Sequence, residues 1–256
     1  MDKPLILLTN DDGVDSPYLA ILADSLRETL DAEVLTIAPA SQQSAMSQTI
    51  TLHKPVRIDE RSPGVFAVSG TPVDCVYVGV LKIAHRLPDL VVSGPNDGFN
   101  LGTDVFYSGT VGAAMEGALR GIPAIAVSVD SKCPEAVPEA ATLVCELARK
   151  MLQTPMPTAM VLNVNVPAAS KGQMRWTRLG KRFYEDDVHQ RDDPRGRKYY
   201  WIGGGLAGIA EIEGSDCQAC VNDGIASVTP LKLDLTATEL LEEQQKSWHL
   251  EGFSQA

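Results

Sequence analysis

The chain has 256 residues, 44% hydrophobic and 21% charged, with a formal net charge of −11. That apolar share fills a core and excludes disordered, collagen-like and coiled-coil classes; at ~100–200 residues per domain, one large domain or a domain with an appendage fits. The acidic balance argues against polymeric nucleic acid, which needs a basic footprint, but leaves room for a small phosphate ester met by a cation, a helix N-terminus or local basic residues.

Leu5–Thr9 is a short apolar run and reads as a strand buried on both faces. Ser16-Pro17 looks like an N-cap followed by proline in the first turn, and Leu19, Leu22, Ala23, Leu26 and Leu30 follow at helical spacing. Val34–Ala38 is the next buried strand, which completes a βαβ unit with a parallel sheet and a right-handed crossover. Ile50–Leu52, Val56–Ile58 and Val65–Val68 are expected as short strands. Thr71-Pro72 opens a helix with Val73, Val76, Tyr77 and Val80 on one face. Leu90–Ser93 reads as a strand ending in a Gly/Asn-rich loop, 94–102. Thr110–Leu119 reads as an Ala/Gly-rich helix packed close to its neighbours. Ile125–Val129, Pro138–Met151 and Val161–Val166 read as strand, helix and strand.

Repeated β-loop-α units mark an α/β fold with a doubly wound, mostly parallel, Rossmann-like sheet, placed at residues 1–170. Residues 171–256 differ. The stretch 171–210 holds nine basic and five acidic side chains, a basic island in an acidic chain. Arg175–Gly205, with Tyr199-Tyr200-Trp201, suits an extended hairpin; Ile225–Thr229 is a strand, and Thr236–His249 a terminal helix anchored by Leu240, Leu241 and Trp248.

The apolar stretch after Met1 is too short for a signal-peptide core, and no run approaches the ~18 residues of a membrane span. Five cysteines, an odd number without a secretion signal, point to reduced thiols in the cytoplasm. Cys217-x-x-Cys220 reads as buried and inert, with a redox pair or half a zinc site as the alternatives.

In an open α/β sheet, ligands bind beyond the carboxyl ends of the strands, so the chemistry belongs in those loops. After the first strand comes Asn10-Asp11-Asp12-Gly13. Two adjacent carboxylates repel each other, and either a divalent cation binds both or one caps a helix while the other is solvated. The second loop, Ala40–Ser47, offers hydroxyls, and the loop after Ser93 offers the amide oxygen of Asn96. Tyr107-Ser108-Gly109-Thr110 precedes the Ala/Gly-rich helix and reads either as an anion site or as simple N-capping. Together these groups form an all-oxygen set that suits Mg²⁺ or Mn²⁺, beside a phosphate site: the layout of metal-assisted phosphoester hydrolysis.

Several segments resemble the SurE survival protein family of metal-dependent 5′/3′-nucleotidases. They are Ile6–Gly13; Ala38-Pro39 with Ser44 and Ser47; Ser69–Tyr77; Val91–Gly94 with Asn96; Asn100–Val111; Asn163–Pro167; and Val228–Thr236. The resemblance implies a SurE-like fold whose C-terminal β-hairpin and helix extension serves oligomerisation. It implies one divalent metal per subunit, Mn²⁺ or Mg²⁺, on Asp11, Asp12, Ser44 and Asn96, with Asp11 or Asp12 as the catalytic base. Asn100, Ser108, Gly109 and Thr110 would bind phosphate or substrate. The implied activity is hydrolysis of nucleoside 5′- and 3′-monophosphates, with short polyphosphate cleaved by some members, in a cytoplasmic homodimer or homotetramer.

Departures from the family pattern gather in the second loop. The usual Asp-Arg-Asn-Arg-Ser-Gly is here Ala40-Ser41-Gln42-Gln43-Ser44-Ala45, which removes two positive charges and a glycine. Pro95 and Asp97 flank Asn96, and Tyr18 stands where a glycine is usual. The altered loop motivates an alternative, a nucleotide-sensing binding protein with weak turnover. An aspartyl-phosphate phosphatase would carry Asp-x-Asp rather than adjacent aspartates, and a dinucleotide oxidoreductase would carry Gly-x-Gly-x-x-Gly after the first strand.

Overall fold

The computed structural model describes residues 3–131, 133–154, 160–168 and 170–247. Strand β1 (Leu5–Thr9) is buried throughout. Leu5 and Leu7 join the core on one side of the sheet, and Ile6 and Leu8 the core on the other, as the period of two requires. Helix α1 (Pro17–Leu30) follows and buries Leu19, Leu22, Ala23 and Leu26. Ser16 is its N-cap by position, but its side chain makes no capping bond. Strand β2 (Glu33–Pro39) lies parallel to β1.

The segment 50–58 departs from expectation. No strand forms at Ile50–Leu52, where the chain is tied down by side chains instead. Thr51 donates its N–H to Asp74 at 2.9 Å, and Thr71 donates its hydroxyl to the Thr49 carbonyl at 2.6 Å. The next strand is β3 (Ile58–Ser62), antiparallel to β4 (Val65–Val68), which runs parallel to β2. Helix α2 (Pro72–Val78) starts where Thr71-Pro72 predicts. Thr71 and Asp74 form a reciprocal capping box, and a π-helical turn, Gly79–Ile83, extends the helix.

Strand β5 is longer than expected, Leu90–Asp97. It crosses a cis Gly94–Pro95 bond and an irregularity in register, after which Asn96 and Asp97 pair with Ser128 and Val129. What reads in sequence as the start of a loop is therefore a bulged strand end that carries Asn96 into the site. A 3-10 turn, Gly102–Phe106, leads to α3 (Gly109–Leu119), then β6 (Ala124–Val129), α4 (Val137–Gln153) and β7 (Met160–Val166).

Strand β8 (Met174–Trp176) and strand β13 (Ala226–Lys232) complete one nine-stranded sheet in the order β3-β4-β2-β1-β5-β6-β7-β13-β8. Strands β4 to β7 of that order run parallel; β13 is antiparallel to β7. The sheet thus draws its last two strands from beyond residue 170. Between them, β9 (Arg182–Tyr184) pairs with β12 (Leu206–Ile209), and β10 (Asp187–Asp192) with β11 (Lys198–Gly203). The last pair is the expected hairpin, and both its strands are exposed. Helix α5 (Thr238–Ser247) leaves Leu240 and Leu241 exposed; Trp248 and His249 lie outside the described residues.

Helices α1 and α4 cover one face of the sheet, and α2 and α3 the other. Chain order reverses between β1 and β5, so loops after these strands diverge and leave a crevice above them. Cys217 and Cys220 are buried and free, and burial pushes their thiols up to about 12 and about 11. Both occupy buried positions.

Candidate active site

The crevice opens into a cavity of about 560 Å³. Its walls include Asp11, Asp12, Ser44, Asn96, Asn100 and Ser108 from the expected set. Gly109 and Thr110 are buried beneath Asp11 rather than exposed in the cavity wall.

The β1 loop is closed by Asn10, which accepts the Gly13 N–H at 3.1 Å and donates its amide to the Gly13 carbonyl at 2.9 Å. This local turn sends the next two carboxylates to different depths. Asp11 is 5% exposed and accepts the Thr110 hydroxyl at 2.6 Å. Burial, opposed by the Thr110 bond and aided by the neighbouring Asp12 charge, raises its carboxyl to about 6. Asp12 is less buried and accepts the Asp97 N–H at 3.2 Å and the Gln42 amide at 3.3 Å. Its carboxyl is also raised, first by burial, against the pull of the Asp97 N–H.

Two glycines of α3 allow this geometry. A Cβ at Gly109 would lie 3.1 Å from the Asp11 Cβ, and one at Gly112 only 2.6 Å from the Ser47 carbonyl oxygen. Both would push the helix away from the loops that carry Asp11 and Ser47. The second loop is then pinned by Gln43 N–H to the Asp11 carbonyl at 2.7 Å, Ser47 N–H to Tyr107 at 3.0 Å and the Ser47 hydroxyl to Phe106 at 2.7 Å. Ala45 and Ser47 take left-handed backbone angles, φ 57° and 52°. Asn96 donates its amide N–H to Gly98 at 2.7 Å, which leaves its amide oxygen for a ligand.

Ser108 accepts the Val111 N–H at 3.0 Å, so it caps α3 as well as lining the cavity. The N-capping reading of this residue is thus present in the structure. The donor set fits a hard divalent ion. Its members are all oxygens, and two of them are carboxylates whose charge is disfavoured by their own surroundings. Among the described residues no group of three His, Cys, Asp or Glu side chains could hold a metal, so a cation at this site would need neutral oxygens as well as the two carboxylates.

The other walls were not legible in the sequence as site residues. Gln42, Ala45, Asp97, Gly98, Phe99, Asp104 and Tyr107 come from the same loops. Tyr184, Asp186, Ile202, Gly203 and Gly204 come from the base of the hairpin arm. The arm is bolted down at Asp104, which accepts the Tyr184 hydroxyl at 2.7 Å and pairs with Arg182. The aromatic and basic composition of 175–205 hinted at an arm, and nothing local indicated that its base meets the cavity.

The model of the family "Survival protein SurE" matches residues 6–186. A "5′-nucleotidase SurE" of Syntrophotalea carbinolica is 50% identical over 91% of this chain and 92% of its own length. Another protein of that name, from an Anaeromyxobacter species, is 47% identical over 97% of each chain. The crystal structure of the SurE protein from Aquifex aeolicus superimposes with a TM-score of 0.81 at 37% identity, covering 95% of this chain and 99% of that one. Family match, sequence identity and fold agree: the chain belongs to the SurE family.

Proposed function

We propose that this chain is a divalent-metal-dependent 5′-nucleotidase, a phosphoric monoester hydrolase that converts nucleoside 5′- and 3′-monophosphates to nucleoside and phosphate. The observation that carries the reading is the meeting of Asp11, Asp12, Ser44 and Asn96 at one cavity beside the start of α3. Identities of 50% and 47% to proteins named 5′-nucleotidase support it.

The four side chains would hold one Mn²⁺ or Mg²⁺ per subunit, which supplies charge neutralisation and an acidified water. Asp12, the more accessible carboxylate, takes the proton of the attacking water. Asp11 stays fixed by Thr110. Ser108 and Asn100, which line the cavity at the start of α3 and beyond β5, meet the phosphoryl oxygens and stabilise their charge, while Gly109 and Thr110 support Asp11 from beneath. Asp97 and Asp186 add negative charge to the walls, Asp104 being paired with Arg182, and no Lys, Arg or His stands among the lining residues. That field disfavours short polyphosphate relative to a monophosphate.

We further read residues 1–170 as the catalytic core and 171–256 as an extension that packs on the core and on a partner subunit of a cytoplasmic homodimer or homotetramer. Among the described residues no helix is long and apolar enough to cross a membrane.

The test is phosphate release from a panel of nucleotides and polyphosphates, with EDTA and with added Mn²⁺ or Mg²⁺. Release from AMP that stops with EDTA and is lost in Asp11→Asn is expected. Full activity under either condition overturns the metal assignment. The second reading, a nucleotide sensor with little turnover, draws on Ser41 and Gln43, which stand where the family pattern carries positive charge. AMP binding without phosphate release in Mn²⁺ would favour it.

A further inference from the structure

The motif Asn163-Val164-Asn165 sits in the middle of the sheet, where apolar residues are the rule. Val161, Leu162, Val164 and Val166 around it are all buried and aliphatic, yet Asn163 and Asn165 are both 0% exposed. A carboxamide placed there is costly unless its polar atoms are bonded. Neither residue lines the cavity. Being two apart on β7, they stand on the same face of the sheet, the face that carries α2 and α3.

Both amides are spent on one residue. Asn165 accepts the Asn100 backbone N–H at 2.8 Å and donates its own amide to the Asn100 carbonyl at 3.2 Å. It therefore engages residue 100 on both sides, as a neighbouring strand would. Asn163 adds a second donor to the same carbonyl at 2.8 Å. Ser128, which pairs in register with Asn165, accepts the Asn100 side-chain amide at 2.8 Å. Residue 100 belongs to no strand, so these side chains replace the backbone partners it lacks. Asn100 itself lines the cavity together with Asp11, Asp12 and Ser108.

We propose that Asn165, assisted by Asn163 and Ser128, is a positioning residue that fixes Asn100 at the substrate cavity. It touches no reacting atom and acts only through residue 100. The inference rests on the nucleotidase reading for its readout. It explains why two polar side chains occupy a strand interior in which valine would pack as well. One atom keeps a separate status: the Asn163 side-chain oxygen is buried without a hydrogen-bond partner. That leaves Asn163 the weaker member of the clamp and Asn165, with both of its ends engaged, the stronger.

A double-mutant cycle separates positioning from mere stability. Asn100→Ala, Asn165→Ala and the double variant are assayed for kcat and KM with AMP and Mn²⁺, and for thermal unfolding. Asn165→Ala is expected to lower kcat/KM about tenfold, within the range of coupling between touching groups. In the Asn100→Ala background the same change is expected to cost nothing further in kcat/KM, while still lowering the Tm. Equal losses in the two backgrounds, or an unchanged kcat/KM in the single variant, overturn the proposal. If Asn165→Ala does not fold, Asn163→Ala, which removes one of two donors to the Asn100 carbonyl, runs through the same cycle with a smaller expected loss. A wild-type protein that releases no phosphate would refute the nucleotidase reading alone. The cycle is then read on AMP affinity by calorimetry, with the same pattern required.

Discussion

Thr110 gives its hydroxyl hydrogen to Asp11 across 2.6 Å, joining the loop after the first strand to the first turn of α3. The bond links residues 99 positions apart in the chain and holds the deeper carboxylate at a fixed height. It also offsets part of the burial that favours protonation of Asp11.

Thr110→Val should therefore weaken metal binding without dismantling the fold. A hydrogen bond to a charged group contributes about 1.5–3 kcal/mol, so an affinity loss of roughly ten- to a hundredfold is expected. Titration calorimetry with Mn²⁺ measures it. An unchanged affinity would mean that Asp11 does not rely on Thr110 for its place.

Ala45→Gly should stabilise the protein. Ala45 holds a left-handed conformation, φ 57°, beside Ser44, a proposed ligand. Relief of about 1–2 kcal/mol of backbone strain outweighs the roughly 0.5–1 kcal/mol that glycine's freedom costs. The expected net gain, about 0.5 kcal/mol, corresponds to a Tm rise of about 1–2 °C by differential scanning calorimetry. A fall in Tm would show that the strain is absorbed elsewhere in the loop.

The arm should divide into two functional zones. Ile202 is 90% exposed and lies on the cavity wall, whereas Arg195, Arg197 and Lys198 lie at or beside the hairpin tip. Ile202→Ala is expected to raise KM for AMP about threefold or more with little change in kcat, as loss of ground-state binding does. Neutralising the three tip residues should alter the oligomeric state seen by light scattering and leave KM alone. A rise in KM from the tip variant would instead extend the substrate field to the basic island.

Thiol reactivity supplies a prediction about pH. Burial, then the nearby Asp216 charge, holds Cys217 up at about 12, and burial holds Cys220 at about 11. A raised thiol stays protonated below its own pKa, so the native protein should show no increase in alkylation of either residue between pH 7 and 9. Denaturation restores an ordinary thiol near 8.5 and with it a steep rise over that interval. Mass spectrometry after iodoacetamide treatment distinguishes the two patterns, and rapid native labelling at pH 8 would contradict the buried placement.

The parts legible in the sequence are those whose signal is local. Leu5–Thr9 is buried on both faces and shows it as an unbroken apolar run. Thr71-Pro72 contains the start of α2 in its own capping chemistry. Asp11, Asp12, Asn96 and Ser108 could be gathered because each follows a recognisable strand or opens a helix, whereas Ser44 and Asn100 were singled out only by the resemblance to the SurE family. The strand beyond Gly94 was hidden, since Gly-Pro-Asn has turn composition and only its pairing with Ser128 and Val129 makes it a strand. Ile50–Leu52 misled in the other direction: its apolar residues lie in a loop held by Asp74 and Thr71. Tyr184 and Ile202 were beyond reach, because their place at the cavity depends on a clamp to Asp104 formed 80 positions away in the case of Tyr184.

The antiparallel seat of β13 beside β7 sets the timetable of synthesis. Strand β7 is complete at residue 166, but its second edge is covered only when residues 226–232 have been made. A nascent chain therefore exposes the backbone of the very strand that grips Asn100 while some sixty further residues emerge, at about 5–20 residues per second. An uncovered strand edge invites pairing with other chains. The crevice thus cannot be finished in the order in which its loops are translated, and a product ending at residue 170 would carry every proposed metal ligand on a sheet with an open side.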